Sequence, residues 1–445
     1  MKLLNLLAFA VLSLSAQIGG TGTIKGTVID PSGAVVPAAA VSATHVLTGV
    51  ESRREATSAG LFVIAPLAAG TYKVTATAPG FRTVVQEKII VDALGTVELT
   101  LRLDVGATSE SVTVNAAPPE LNTNDSRMGQ TIRNEMYTAL PLAMGNGNPR
   151  NPASFIYLMP GVQEGGTFGF INGGQSFSKD VYIEGLPITD AVRQGESRAL
   201  QFAVSVESIE QFQVETSGQS VEFNGQGSEN YQVKSGTNQF HGSVYEYFRN
   251  TKLDARGFFN ATRPQQNQNQ YGYTFGGPLK RNKLFFFTAY DGYKYRVATA
   301  AQFVTIPTTR MRNGDFGELP AGVFDPASTN CPGGVNCTRQ VFPGNVIPAS
   351  RISGISKFFQ DPLPAPNQPG IASNFLNNNK GVGFDNFNFT SKVDWNANDA
   401  HKFTVLFTRG SHDQSSAIRG NPVPLPLPYT VTRLVAEIPT VGQLK

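Results

Sequence analysis

Two stretches, VYIEGLPITD (Val181–Asp190) and ESIEQFQVETSGQSVEFNGQGSENYQVKSGTNQFHG (Glu207–Gly242), decide how the rest of the chain is interpreted. Short strand-like runs at Val181–Glu184 and Ile209–Thr216 are each closed by glycine, and more glycines surround a third run at Asn230–Lys234. Glycines at this density indicate sharp turns and close backbone approach. The sequence before these stretches is typical of soluble secreted modules, and the sequence after them is not.

The composition excludes one class of partner and favours β structure. The 445 residues carry a net charge of only +3, and 16% of them are charged. No basic block is available to neutralise phosphates, so nucleic acid is not expected as a partner. With 30 Phe and 13 Tyr but one Trp, the chain suits many half-exposed strands.

The N-terminus MKLLNLLAFAVLSLSAQ predicts a signal peptide over residues 1–16, because a Lys precedes a short apolar run that ends in small residues. A buried helix of the mature fold is the alternative. No later stretch approaches 18 apolar residues, so a membrane role would require a β-barrel.

The region from residue 21 to residue 103 predicts a small β-sandwich. Runs of period two are separated by turn signals such as DPSG (Asp30–Gly33) and APGF (Ala78–Phe81), which is typical of short antiparallel strands. The predicted strands are Thr23–Ile29, Val41–Thr44, Leu61–Ile64, Tyr72–Ala76, Thr83–Val85 and Val97–Leu101.

From Gly236 onward the alternation of aromatic and polar residues predicts the strands of a transmembrane barrel. Two short polar connections, GPLKRNK and NANDA, alternate strictly with long ones, as when every other turn faces the periplasm. The predicted strands are Ser243–Arg249, Gln270–Gly276, Leu284–Tyr295, Asn386–Trp395, Lys402–Arg409 and, more weakly, Tyr429–Ile438.

The order of motifs resembles the TonB-dependent outer-membrane receptors, and more narrowly their Oar-like branch. The residues that carry this resemblance to the plug domain are EGLPI (Glu184–Ile188), the later Ile209–Val214 and VKSGTNQFHG (Val233–Gly242). The series GTVIDPSGAVVPAAAV (Gly26–Val41) and GLFVIAPLAAGTYKVTATAPGF (Gly60–Phe81) is similar to the carboxypeptidase regulatory-like domain of a carbohydrate-binding-like fold. That name implies no peptidase activity.

The resemblance implies a mainly β chain in three parts. These are the sandwich at 21–103, an α/β plug at 125–235 that begins with a short helix at Thr131–Ala139, and the start of a barrel at 236–445. Plugged barrels have about 22 strands, whereas the sequence offers five or six, so we expect the barrel to be incomplete within this sequence, as in a fragment or truncated product.

A linker at 104–124, rich in Ser, Thr, Ala and Pro, is predicted to be mobile. Within it the alternating residues Glu110, Ser111, Val112, Thr113 and Val114 resemble the TonB box of the family, a peptide that pairs with an edge strand of TonB. The alternative is that these residues are only the last strand of the sandwich.

Motifs of enzymes and cofactor sites are absent from the sequence. It contains no HExxH, GxSxG, Walker A or CxxC pattern, so we predict no catalytic residue, no metal site and no cofactor. Acidic residues such as Glu184, Asp190 and Glu196 are not paired by their spacing. Cys331 and Cys337 in NCPGGVNC suit a small disulfide-closed loop better than a metal pair without nearby His.

The function implied by the resemblance is that of an outer-membrane receptor and transporter of a Gram-negative bacterium. Its partners would be TonB, with ExbB and ExbD, the outer-membrane lipid and a large substrate such as a glycan or peptide. The alternative is a surface adhesion or carbohydrate-binding protein that works through its N-terminal sandwich.

Overall fold

The computed structural model confirms a mainly β protein. The predicted signal peptide, Glu110, Asp190 and Glu196 lie outside the described residues. The structure describes residues 20–106, 111–114, 128–139, 149–150, 156–157, 159–163, 170–174, 179–188, 204–217, 227–256, 258, 263, 265–297, 302–334, 336–361, 363–377, 382–399, 401–415 and 433–444.

The N-terminal part is a β-sandwich whose inward residues alternate with outward ones. In its first strand every second residue is buried, as the period of two requires. The strands are β1 (Gly22–Ile29), β2 (Ala40–His45), β3 (Glu51–Glu55), β4 (Leu61–Leu67), β5 (Gly70–Thr77), β6 (Thr83–Val91), β7 (Thr96–Arg102) and β8 (Ser111–Val114).

These strands form two sheets, with the orders β4-β1-β7 and β3-β2-β5-β6-β8. Their inner faces enclose one apolar core, in which Ile24, Ile64, Val74 and Leu101 are fully buried. The predicted strands are all present. β3 has no strand signal in the sequence, because ESRRE contains no apolar residue and forms a charged edge strand, which discourages pairing with other chains.

Part of the segment for which a mobile linker is predicted, namely residues 104–106 and 111–114, is hydrogen-bonded to the sandwich in the structure. The backbone N–H of Arg82 donates to the carbonyl oxygen of Asp104 at 2.8 Å, and that of Gly106 donates to Gly80 O at 3.1 Å. β8 then pairs in parallel with β6. The exposed edge of β6 attracts the following chain because its backbone groups otherwise have no partner in the sheet.

The region from residue 128 to residue 233, called the plug below after its predicted role, contains a mixed sheet with the order β13-β12-β15-β14-β9. The predicted helix at Thr131–Ala139 is corrected, since Thr131–Arg133 pair with β14 and only the following residues are helical. A separate hairpin joins β10 and β11. The elements are β9 (Met128–Arg133), α1 (Asn134–Ala139), β10 (Val162–Gln163), β11 (Phe170–Ile171), β12 (Lys179–Ile183), β13 (Leu186–Pro187), a 3₁₀ turn (Val206–Ser208), β14 (Ile209–Ser217) and β15 (Gly227–Val233).

The C-terminal part is a curved antiparallel sheet with the order β16-β17-β18-β21-β22-β23. All six predicted strands are present and each is longer than predicted, with the weak sixth displaced toward the C-terminus. The strands are β16 (His241–Asn250), β17 (Gln266–Lys280), β18 (Leu284–Val297), β21 (Val382–Asn396), β22 (Lys402–Ser415) and β23 (Arg433–Leu444). Short and long connections alternate between them, as predicted.

The two faces of this barrel sheet differ in polarity. Along β17 the inward residues Gln266, Gln268 and Gln270 are buried, while Tyr273 and Phe275 on the other face are exposed. Such alternation is the signature of a wall with lipid on one side and a polar lumen on the other. Among the described residues no helix is long and apolar enough to cross a membrane.

The long connection between β18 and β21 has its own short elements. Its ends pair with each other, Gln302 opposite Asn377 and Val304 opposite Phe375. The elements are β19 (Gln302–Val304), α2 (Thr309–Arg312), α3 (Gly354–Gln360), β20 (Phe375–Asn377) and 3₁₀ turns at Pro326–Ser328, Pro332–Gly334, Pro343–Asn345 and Ala349–Arg351.

Candidate functional site

The plug is seated directly on the inner face of the barrel wall. Phe287 of β18 and Leu406 of β22 are buried in the same apolar cluster as Val181, Phe212 and Val233 of the plug. These side chains are at most 2% exposed on both sides of the boundary, which implies close packing across it. The plug–barrel boundary is therefore a continuous core, and polar groups within it need partners.

A buried ion pair crosses this boundary. Glu184 Oε1 lies 2.7 Å from the Nζ of Lys392, and each side chain is 7% exposed. The same ammonium donates to the carbonyl oxygen of Val233 at 3.0 Å, and the Val233 N–H donates to Glu184 Oε1 at 2.9 Å. The plug backbone thus fixes both charges, which is the condition for a buried pair to be tolerated.

The EGLP motif explains how Glu184 reaches this position. Glu184 and Gly185 form the two-residue turn between β12 and β13, and both have positive φ values of 52° and 78°. Two-residue hairpins favour such φ values, and glycine adopts them without steric cost. The turn ends β12 at the barrel wall and presents the carboxylate to Lys392.

Lys392 could have been recognised from its strand, although the sequence analysis did not single it out. In β21 the inward positions Asn386, Asn388, Thr390 and Lys392 are all buried. A lysine among uncharged amides and hydroxyls on a buried face signals a carboxylate partner, because an unpaired buried charge is costly. The alternation identifies the face, but only the structure identifies Glu184 as the partner.

A second polar cluster joins the plug to the first barrel strands. The guanidinium of Arg150 donates to Glu207 Oε1 at 2.9 Å and lies 3.6 Å from the ring centroid of Tyr247. Its backbone N–H donates to Gln270 Oε1 at 3.0 Å. Gln270 and Tyr245 in turn both donate to the carboxylate of Asp291, Tyr245 at 2.7 Å. A charged plug residue therefore contacts two barrel strands directly, and Gln270 and Tyr245 connect this cluster to Asp291 on a third.

The interior of the plug holds a further buried charge pair. Lys179 on β12 is bonded to Glu229 on the adjacent β15, and their side chains are 4% and 0% exposed. The hydroxyl of Tyr231 donates to the second oxygen of Glu229 at 2.8 Å. Burial and the neighbouring Glu229 raise the pKa of Tyr231 well above its usual value, so the phenol stays protonated. These contacts bind β12 and β15 together without involving the barrel.

The sandwich docks on the short barrel turns through Asn238. Its backbone N–H donates to the carbonyl oxygen of Leu47 at 3.0 Å, and its side-chain amide donates to Thr48 O at 2.7 Å. The same amide bonds Asn282, in the turn between β17 and β18, at 2.6 Å. One asparagine thus joins the sandwich, the plug–barrel junction and a barrel turn.

A buried histidine shapes the docking turn at residues 46–50. The Nδ1 of His45 accepts a hydrogen bond from the Thr48 N–H at 3.2 Å, and its ring meets Tyr72 edge-on at 5.0 Å. Burial lowers the pKa of His45. Gly49 has a φ of 65°, and a Cβ there would lie 2.4 Å from Asn282 Oδ1. The turn therefore needs a neutral imidazole and a glycine.

The TonB-box candidate forms the edge strand of the sandwich. Of the five residues singled out from the sequence, Ser111, Val112, Thr113 and Val114 pair with Thr83–Gln86 of β6. This arrangement corresponds to the alternative interpretation, the last strand of the sandwich. Farther along the chain β9 follows, whose Arg133 donates to both carboxylate oxygens of Asp92 in the sandwich at 3.0 and 2.9 Å.

The long connection between β18 and β21 holds the disulfide candidate. Cys331 and Cys337 are joined in the structure, and Asn330 and Thr338 on either side exchange backbone hydrogen bonds of 3.0 and 2.8 Å. Within the described part of the chain, no group of three or more His, Cys, Asp or Glu side chains is placed to hold a metal ion.

Comparisons with known proteins agree with this arrangement. Residues 232–435 match the outer membrane beta barrel domain family, and residues 23–104 match the carboxypeptidase regulatory-like domain family. The chain is similar to the TonB-dependent transporter Oar of Myxococcus xanthus, with 27% identity over 297 residues. This match covers 62% of the chain and 27% of Oar, so the chain spans about a quarter of the length of that relative.

Solved receptor structures also resemble the chain at low overall similarity. The siderophore receptor PirA from Acinetobacter baumannii matches with a TM-score of 0.35 and 17% identity, over 66% of this chain and 32% of PirA. A mutant of the ferric enterobactin receptor PfeA from Pseudomonas aeruginosa matches with a TM-score of 0.34 and 14% identity, over 64% and 32%.

The two domain matches and the similarity to Oar come in the order that the fold shows, with a sandwich, a plug and an outer-membrane barrel wall. The chain therefore resembles the TonB-dependent receptors of the outer membrane, and more narrowly their Oar-like branch, which carries a carboxypeptidase regulatory-like domain.

Proposed function

We propose that the protein takes up a large substrate, a glycan or a peptide, through the outer membrane. The energy would come from TonB, working with ExbB and ExbD, which pulls on the segment that contains residues 110–114 and thereby remodels the plug. This proposal includes the TonB-box assignment and requires a mechanical path from that segment to the plug.

The position of β9 is the observation that carries the proposal. β9 is an edge strand of the plug sheet, and its pairing in that sheet is to β14. It follows the TonB-box candidate along the chain, with residues 115–127 between them. Removing an edge strand breaks one ladder of hydrogen bonds and leaves the rest of the sheet intact. A pull on the candidate box would therefore reach the plug at an edge strand, whose removal breaks the pairing with β14 alone.

The remainder of the plug is held against such a pull. Glu184 is bonded to Lys392, and Arg150 is stacked on Tyr247, so the plug stays attached to the barrel at two buried clusters. We infer that TonB opens a passage by removing β9 and the segments next to it, while β12 and β15 remain on the barrel wall.

The inward face of the barrel suits an uncharged polar cargo. Eight of its buried side chains are amides or aliphatic hydroxyls, which hydrogen-bond sugar hydroxyls and peptide groups as donors and acceptors. The charged residues Asp291 and Lys392 on this face are already bonded to Gln270 and to Glu184. The amides and hydroxyls are Gln266, Gln268, Gln270, Thr274, Asn386, Asn388, Thr390 and Thr408.

The test is binding of a peptide covering Ser109–Asn115 to the C-terminal domain of TonB. We expect saturable binding, because an extended β-prone peptide can add to an edge strand. A peptide with Thr113→Pro, which cannot donate the backbone hydrogen bond at that position, is the matched control and should bind more weakly. Absence of binding by the unaltered peptide would contradict the TonB-box assignment.

A further inference from the structure

We propose that the sandwich acts as a latch on the TonB-box candidate: strand β6 holds Ser111–Val114, and this segment must leave β6 before TonB can move the plug. The inference rests on the proposed function and adds a regulatory role for the sandwich. The exposed edge of β6 then competes with TonB for the same short strand, Ser111–Val114.

The pairing of β8 with β6 is short and parallel. Thr83, Val84, Val85 and Gln86 lie opposite Ser111, Val112, Thr113 and Val114 in parallel register. β8 is the outermost strand of its sheet and has only four residues. Parallel pairs are slightly less stable per residue than antiparallel ones, so a short parallel edge strand is readily exchanged. The pairing is thus suited to reversible release.

If TonB pulled on Ser111–Val114 while they remain paired, the hydrogen bonds to β6 would bear the load. Residues 115–127 would then transmit nothing to β9, because a chain segment transmits a pull only after its near end has moved. Movement of β9 therefore requires that β8 separate from β6.

The chain is also attached to the sandwich at the far end of residues 115–127. Arg133, the last residue of β9, is bonded through two nitrogens to the carboxylate of Asp92, which directly follows β6. Strand β6 and the residue after it thus hold the chain on both sides of residues 115–127. This arrangement keeps the candidate box and the first plug strand on the sandwich together.

Residues before β8 tighten the same attachment. Asp104 and Gly106 are hydrogen-bonded to Arg82 and Gly80, next to the start of β6. Val105 forms an antiparallel bridge with Phe81. The chain therefore leaves β7, runs along this edge and pairs with it again at Ser111, so that release of β8 does not detach the preceding residues.

The experiment uses a disulfide to close the latch in the full chain. Thr83 and Ser111 are register partners, and neighbouring strands lie about 4.8 Å apart, within the Cα range of disulfides. The double variant Thr83→Cys/Ser111→Cys is oxidised, and its binding to the TonB C-terminal domain is measured before and after reduction. We expect loss of binding in the oxidised form and recovery on reduction.

Two controls make the outcome specific. The variant Thr23→Cys/Thr96→Cys crosslinks another parallel pair of the same sandwich, between β1 and β7, and should bind TonB alike in both redox states. The pair Gln86→Cys/Val114→Cys repeats the test at another position of β8. Peptides carrying Ser111→Cys or Val114→Cys show whether cysteine itself weakens TonB binding.

The possible results separate the latch from the proposed function. If the Ser109–Asn115 peptide fails to bind TonB, the TonB-box assignment fails, and the latch fails with it. If the peptide binds but the oxidised full chain binds TonB as tightly as the reduced chain, the latch alone is overturned. Failure of both cysteine pairs to form a disulfide in the folded chain would also overturn it, because β8 would then not lie on β6.

Discussion

The carboxylate oxygen Oε1 of Glu184 and the ammonium nitrogen of Lys392 lie 2.7 Å apart, although the two residues are 208 positions apart in the chain. One belongs to the EGLP turn of the plug and the other to barrel strand β21. Both are 7% exposed, so neither charge has water as a substitute partner. This pair is the most direct electrostatic link between plug and barrel wall.

Replacing Lys392 with Met should loosen the plug. Removal of one partner leaves the carboxylate of Glu184 buried without its counter-charge, and such changes cost roughly 3–5 kcal/mol. We expect a lower thermal unfolding midpoint and faster proteolysis of the plug. Lys294→Met, at an exposed position of β18, is the matched control and should leave both unchanged.

The double variant Glu184→Gln/Lys392→Met tests the cause of that loss. Gln keeps an acceptor for the Val233 N–H and removes the uncompensated charge, so most of the lost stability should return. If the double variant is as unstable as Lys392→Met, packing rather than charge explains the effect.

Replacing Asn238 with Ala should release the sandwich from the barrel turns. The change removes the side-chain hydrogen bonds to Thr48 and to Asn282. We expect faster hydrogen exchange at residues 46–50 in the full chain. Gln239→Ala, at the next and exposed position, keeps these bonds and serves as the control; equal exchange in both variants would contradict the docking role.

Acidification should loosen the docking turn through His45. Burial lowers the pKa of this imidazole in the folded state, so below the unfolded value of about 6.5 the unfolded chain binds more protons. Stability therefore falls as the pH drops from about 7 to about 5. Protonation also removes the Nδ1 acceptor of the Thr48 N–H.

The measurement is hydrogen exchange of residues 46–50 at both pH values. A His45→Gln variant, which has no titrating ring, should show a smaller change between them. Among the sandwich carboxylates, Asp30 has a pKa held below its usual value by its hydrogen bond from Ser32, so its titration lies below this window. An unchanged pH response in the variant would exclude His45 as its source.

Replacing both Cys331 and Cys337 with Ser should affect only the long connection between β18 and β21. The disulfide closes a short loop beside the Asn330–Thr338 bridge, far from the plug contacts in the chain. We expect faster hydrogen exchange around residues 325–345 and an unchanged unfolding midpoint of the barrel. The bonds from Arg351 to both oxygens of Asp325 should preserve part of the protection, and Arg351→Ala added to the pair should remove it.

Local alternation was enough to predict the barrel strands and most of the sandwich. In β21, Phe387 and Phe389 alternate with Asn386 and Asn388, and one face of a strand between lipid and a polar lumen must show this period. The same rule failed at Glu51–Glu55, where an exposed edge strand has little apolar surface to bury. Alternation reports burial, so it detects only the strands that bury an apolar side.

The sequence by itself therefore determined the order of the parts, the strands with an apolar face and the alternation of short and long connections. Only the tertiary structure decided that Lys392 pairs with Glu184, that Asn238 is hydrogen-bonded to the sandwich and that Ser111–Val114 pair with β6. The physical reason is that local periodicity records which side of a strand is buried. The choice of partner depends on which distant groups the fold brings within hydrogen-bond distance, and no local pattern encodes that choice.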